Sequence, residues 1–205
     1  MTTILLDTNA YLRLARRIKP LLATSPFNRF KEYHLVVLNE VRAEVQRNPR
    51  LKAKFPWFFD GDFMADREAK TLRFSAEERA SVKAKEQFLL DWVSDNIAEF
   101  MSARRSPPGG ADCRVLAAAM VRNAMVATDD EGMIHLAQEM GIPAMRCCDV
   151  LHKMWAAGRV EDAEVVAIYQ ALLRNSDLPV QWLIVRDTLF KRIRHRLTDE
   201  VLKES

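Results

Sequence analysis

Apolar residues along this chain come in two rhythms. Four short β-branched or aliphatic runs, Thr3–Leu6, His34–Leu38, Met125–Thr128 and Ile142–Met145, have the length and composition of buried strands. Between them, helical spacing predominates. The first run leads into a helix predicted over Ala10–Arg17, with Thr8 or Asn9 as its N-cap and Pro20 beyond its end. The second leads into a helix over Glu40–Arg47, with Asn39 as cap and Asn48-Pro49 as stop. Strands alternating with helices in this way predict a parallel sheet covered by helices on both faces, a three-layer α/β/α sandwich.

The rhythm breaks over Arg50–Arg105. Phe55-Pro56-Trp57-Phe58-Phe59 is aromatic-rich, and Ser75-Ala76-Glu77-Glu78 has the form of a capping box opening a long helix. Val82, Phe88, Leu89, Trp92, Val93, Ile97 and Phe100 recur near helical spacing, so this stretch reads as a helical insertion packed on the core. Ser106-Pro107-Pro108-Gly109-Gly110 returns the chain to the sheet. A helix opens at Ala111-Asp112, another spans Glu131–Met140 with Gly141 past its end, and residues 150–205 read as further helices punctuated by Gly158 and Asp177-Leu178-Pro179. The predicted organisation is a domain over residues 1–150, with the insertion at about 50–105, and a C-terminal helical extension over 151–205 packed on it.

Composition narrows the class modestly. With 205 residues, 49% hydrophobic and 29% charged, the chain can bury a full core, and no apolar run reaches the ~20 residues of a membrane helix. A cytoplasmic protein with no membrane association is the expectation, since the N-terminus shows no signal-peptide pattern. Cys113, Cys147 and Cys148 lack metal-ligand spacing and read as reduced, structural residues.

Candidate chemistry lies in the acidic residues. Asp7, Glu44, Asp112 and Asp130 each fall where a strand hands over to a helix or in a helix's opening turns. In an open parallel sheet such positions converge on the crevice beyond the carboxyl ends of the strands. Gathered there, four carboxylates repel one another unless a hard cation such as Mg²⁺ or Mn²⁺ joins them. Each also has a structural alternative: Asp7 as a cap, Glu44 as a solvent-facing helix residue, Asp112 as a charge favoured at a helix N-terminus. Glu40 and Glu44 are four apart on one helix face, so either reaches the site, with the apolar spacing favouring Glu44. Thr8, Asn9 and Thr128 are candidate accessory groups, and Asp129 either shares the cation or caps the next helix.

The segments Leu5–Asn9, Val36–Glu44, Ala111-Asp112 and Val126–Gly132 resemble the PIN-domain nucleases, and within them the VapC-type toxins of bacterial toxin–antitoxin pairs. The resemblance covers residues 1–48 and 109–150. It implies a PIN-like sandwich in which Asp7, Glu44, Asp112 and Asp130 are catalytic, with Asp7, Asp112 and Asp130 holding Mg²⁺ or Mn²⁺. It also implies endoribonuclease activity, a cognate antitoxin as partner, and a possible homodimer. The Arg50–Arg105 insertion and the C-terminal helices depart from compact members of that family.

Charge suits a polyanionic substrate. The chain carries +3 overall, and setting four site carboxylates aside leaves +7 on the remainder. Arg13, Arg16 and Arg17 on the first helix, and Arg42 and Arg47 beside the proposed glutamate, are candidate RNA contacts, with solvated helix faces as the alternative. Lys191, Arg192, Arg194 and Arg196 form a late basic cluster. The aromatics of 55–59 either stack on bases or pack. His34, His135, His152 and His195 share no motif, which disfavours a histidine-pair mechanism. A non-catalytic PIN-like binding module is the main alternative. A haloacid-dehalogenase-type phosphohydrolase lacks its second aspartate, because Asn9 stands there, and a Rossmann nucleotide site lacks its glycine-rich turn.

Overall fold

The computed structural model describes residues 2–27, 32–102 and 105–197. Four parallel strands, β1 (Thr2–Leu6), β2 (Tyr33–Val36), β3 (Met125–Ala127) and β4 (Ala144–Met145), lie in the order β2-β1-β3-β4. Ile4 stands opposite Leu35 and Met125, and Leu5 opposite Val36 and Val126. Alternation along the pleat then sends neighbours to opposite faces. Ile4, Leu6, Leu35 and Ala127 join one apolar cluster, while Leu5 and Val126 join another. The sheet is therefore buried on both sides, which is why its strands read as continuous apolar runs.

Helices α1 (Thr8–Ala15), α2 (Asn39–Arg47), α9 (Cys147–Ala156), α10 (Asp162–Arg174) and α11 (Val180–Leu189) contribute to the first cluster; α5 (Ala76–Asp95), α7 (Gly110–Arg122) and α8 (Glu131–Glu139) contribute to the second. The result is the three-layer α/β/α sandwich expected from the strand and helix rhythm. Trp182 and Phe190, far along the C-terminal part, are fully buried in the same cluster as Ile4 and Leu6. Residues 198–205, which the sequence reading assigned to helix, lie outside the described residues.

The insertion wraps around the sheet rather than forming a lobe of its own. Its first part, α3 (Pro49–Lys54), a 3-10 turn at Pro56–Phe59 and α4 (Gly61–Lys70), packs on the first face. Phe58 is fully buried, and Arg67, only 5% exposed, lies 3.6 Å over its ring while donating to the Phe58 carbonyl and the Tyr11 hydroxyl. The 55–59 aromatics thus pack; none of them forms a free stacking platform. The Asp66 carboxylate accepts the Leu22 and Ala23 amides, fixing α4 against the turn after α1. The chain then crosses the sheet edge, where the Leu72 amide donates to the Val37 carbonyl, and α5 packs along α7 on the second face. Ser75 caps α5 through the predicted capping box, followed by α6 (Ile97–Ser102).

Candidate active site

Consecutive connections leave β1 for β2 on one side of the sheet and reach β3 on the other. The crevice at the carboxyl ends of β1 and β3 is consequently the topological switch point. Asp7 follows β1 directly, and Thr128-Asp129-Asp130 follows β3. Asp7 keeps extended backbone and its side chain accepts the Ala10 amide, so it is itself the N-cap of α1. This corrects the expected cap at Thr8 or Asn9. Thr8, already helical, is released to donate 2.6 Å to Glu44 on α2, while Asn9 is exposed.

The expected cap of α2 is also displaced. Asn39 is the first helical residue, Leu38 occupies the cap position, and no side chain caps this N-terminus. Of the two glutamates on α2, Glu44 faces Thr8, whereas Glu40 is paired with Arg114 at 2.9 Å. Asp112 lies in the first turn of α7 and accepts the Gly109 amide at 2.9 Å. Asp130 caps α8 by accepting the Met133 amide at 2.8 Å, and its own amide donates to the Thr128 hydroxyl.

The structural alternatives weighed for Asp7 and Asp112 are therefore realised, and they orient the groups. The second oxygens of Glu44, Asp112 and Asp130 take no protein hydrogen bond among the described residues. The four acids sense one another through a short relay. Thr8 joins the Asp7 segment to Glu44, Thr128 lies beside both Asp7 and Asp130, and Asp112 feels the charges of Asp130 and Glu44.

Burial pushes the Asp7 carboxyl up to about 7, with the charge of Asp129 adding to the rise; the Thr128 hydroxyl, the Ala10 amide and Arg13 oppose it. Burial also raises Asp112; the Gly109 amide opposes this, and Asp130 and Glu44 reinforce it. Carboxylates held against their own ionisation, chiefly by burial, are favoured in their charged form by a nearby cation. All the donors are carboxylate or hydroxyl oxygens, the set preferred by Mg²⁺ and Mn²⁺. As they stand, no three His, Cys, Asp or Glu side chains among the described residues are grouped closely enough to hold an ion. The donor chemistry fits the cation, and a bound ion would need to draw these side chains inward.

Asp129 has a different role from either one expected of it. It neither caps α8 nor faces the other acids with a free oxygen. Arg13 contacts it at 2.9 Å, the Cys147 amide donates to one oxygen, and the Trp182 indole donates 3.0 Å to the other. Arg13 bridges onward to Asp177 at 3.3 Å. The candidate RNA contact Arg13 is thus committed to a buried network joining α1, β3, α9 and α11. Arg16, Arg17, Arg42 and Arg47 are exposed.

Sequence reasoning missed Trp182 and Arg114, for which no local signal existed, since both act through contacts distant in sequence. It also missed Gly132. A side chain there would meet the Ser106 carbonyl 2.1 Å from its Cβ, so glycine lets the 106–110 linker cross the first turn of α8 and bring Asp112 beside Asp130. The three cysteines are buried and unpaired. His34, His135 and His152 lie near Glu32, Glu99 and Trp155 respectively, in separate parts of the molecule. No helix among the described residues is long and apolar enough to cross a membrane.

No protein-family model matches the chain, and no curated protein matches it. Among solved structures, the chain is similar to one titled FitAcB from Neisseria gonorrhoeae, at 17% sequence identity and a TM-score of 0.43, covering 71% of this chain and 98% of that one.

Proposed function

We propose that this protein is a metal-dependent endoribonuclease of the PIN type, with Asp7, Glu44, Asp112 and Asp130 as its catalytic acids. What supports the reading is the linkage of these four acids from four separate elements: Thr8, next to Asp7, binds Glu44, Thr128 lies beside Asp7 and Asp130, and Asp112 senses the charges of Asp130 and Glu44. Burial raises Asp7 and Asp112, with the charge of Asp129 adding at Asp7 and those of Asp130 and Glu44 adding at Asp112. A module that only bound RNA would gain nothing from this repulsive arrangement, which distinguishes the two readings physically.

Asp7, Asp112 and Asp130 would hold Mg²⁺ or Mn²⁺, which when bound offsets phosphate charge and acidifies water near neutral pH. The chain's own residues do the positioning. The Ala10 amide and the Thr128 hydroxyl together hold Asp7, while the Gly109 and Met133 amides hold one oxygen each of Asp112 and Asp130, leaving the other without a protein hydrogen bond among the described residues. Thr8 holds Glu44 in the same way. Asp129, its charge answered by Arg13 and Trp182, braces the end of β3 and takes no part in binding the ion.

A toxin role under control of a cognate antitoxin follows from the motif resemblance and belongs to the same proposal. The test is incubation of the purified protein with mixed cellular RNA and Mn²⁺ or Mg²⁺, beside EDTA and Asp7→Asn controls. Discrete metal-dependent fragments that disappear in both controls are expected; intact RNA under every metal condition would refute the nuclease reading.

A further inference from the structure

A cleft next to the candidate site is built largely by the insertion. One compartment, of about 580 Å³, is bordered by Glu44, Arg47, Gly110 and Ala111, the last being the residue before Asp112. A second, of about 550 Å³, is bordered by Arg73, Phe74, Arg79 and Lys83. The two share Glu40, Glu86 and Arg114 in their walls, so they adjoin along a groove between α2 and α5 with this ion-paired trio between them. Two such compartments end to end suit a polymer better than a single small molecule.

Charge is graded along this groove. The near compartment carries Glu40, Glu44 and Glu86 against Arg47 and Arg114. The far one carries Arg73, Arg79, Lys83 and Arg114 against Glu40 and Glu86. Arg73 and Lys83 make no ion pair or side-chain hydrogen bond among the described residues, and Arg79 binds only the Phe74 carbonyl. Arg114 stands at the junction, held between Glu40 at 2.9 Å and Glu86 at 2.8 Å. An arginine poised between two carboxylates can exchange one of them for a phosphate at little cost in charge balance.

We infer that the far compartment is a second nucleic-acid contact surface, in which Arg73, Arg79 and Lys83 hold backbone phosphates of a single strand flanking the one presented to the carboxylates. Arg114 is a positioning residue at the junction. The inference rests on the nuclease reading for the identity of the polyanion, but binding here is independent of the metal and of cleavage. Uncommitted cations in a groove that is acidic only at its reactive end orient a strand along the groove. The departure of this chain from compact relatives thereby gains a purpose: the insertion lengthens the substrate path.

The test is fluorescence-anisotropy binding of a labelled single-stranded RNA of about 12 nucleotides, and of a trinucleotide, to the full chain in EDTA across a salt series. The probes are wild type, the Arg73→Ala/Arg79→Ala/Lys83→Ala triple variant and Lys83→Glu. Loss of three phosphate contacts should flatten the slope of log affinity on log salt by about 2 and weaken the longer RNA roughly tenfold or more at low salt, leaving the trinucleotide unchanged. Lys83→Glu, an exposed single change, should move the same readout in the same direction. Unchanged slope and affinity in both variants would overturn the inference, as would equal losses on the trinucleotide. Wild type that binds with this salt dependence yet never cleaves with Mn²⁺ would leave the groove standing and remove the nuclease reading instead.

Discussion

Asp7 ties stability to chemistry in a way that can be measured without any substrate. Its carboxyl is 4% exposed and pushed from 3.8 to about 7, so between these values the folded protein binds a proton that the unfolded chain has released. The unfolded state then holds fewer protons than the native one, and stability falls as pH rises through that window. A shift of about 3 units corresponds to about 4 kcal/mol at full ionisation, at ~1.36 kcal/mol per unit. Asp7→Asn removes the ionisation but keeps a side-chain oxygen for the Ala10 amide, asparagine being as good an N-cap as aspartate. The metal-free variant should therefore match wild type near pH 4 and exceed it at pH 8 by about 2–4 kcal/mol. For a chain of this size that is roughly 6–12 °C in Tm. Taking the difference between the two proteins at each pH cancels the titration of every other group. Mn²⁺ at about 1,000 times its Kd should close or reverse the gap, since it stabilises wild type by about 4.1 kcal/mol and the variant far less. A difference that stays flat from pH 4 to 8, or an Asp7→Asn protein that melts below wild type at pH 8, would refute the burial argument.

Other outcomes follow from the same contacts. Glu44→Gln should lower cleavage about 100-fold, as the loss of a charge facing the cation site implies, while Glu40→Gln, which only loosens a part-exposed pair with Arg114, should stay within about fivefold; equal effects in a cleavage assay would reverse the choice between the two glutamates. Gly132→Ala should cost about 1–3 kcal/mol in denaturant melts, because its Cβ meets the Ser106 carbonyl, and should reduce cleavage by displacing the linker that carries Asp112. Trp182→Phe should cost about 2–4 kcal/mol by leaving buried Asp129 short of a donor, with cleavage largely kept in the folded fraction. Expression of the protein alone should slow bacterial growth and expression of Asp7→Asn should not; normal growth alongside demonstrated activity would remove the toxin role.

The fold was legible because its signals are local. Ile4–Leu6 and Met125–Ala127 are apolar at every position, as strands buried on both faces must be, and Gly141, at φ +64° past the end of α8, marks a stop that a single residue announces. Cap positions were misplaced by one or two residues at α1 and by one at α2 for a tertiary reason. Which side chain caps a helix depends on where extended backbone gives way to helical, and at Asp7 and Leu38 that point is set by the β1 and β2 ladders. Asp129 shows the opposite limit. The motif resemblance singled out Asp130, but the role of Asp129 was open until Arg13 from α1 and Trp182 from α11 showed it as a braced, fully satisfied aspartate beside one with an oxygen to offer.

That separation bears on how the site is built. Adjacent aspartates after one strand would be the most repulsive pair in the crevice if both faced it, and the charge of Asp129 does raise the Asp7 carboxyl. By tying Asp129 to Arg13, the Cys147 amide and the Trp182 indole, the chain converts one of five nearby acids into a structural anchor. The other four are held by uncharged donors, through backbone amides at Asp7, Asp112 and Asp130, the Thr128 hydroxyl at Asp7 and Thr8 at Glu44. Such bonds fix direction without supplying a neutralising charge. The electrostatic debt of the crevice is thus left for a cation, and the C-terminal helices, through Trp182, help set which carboxylates incur it.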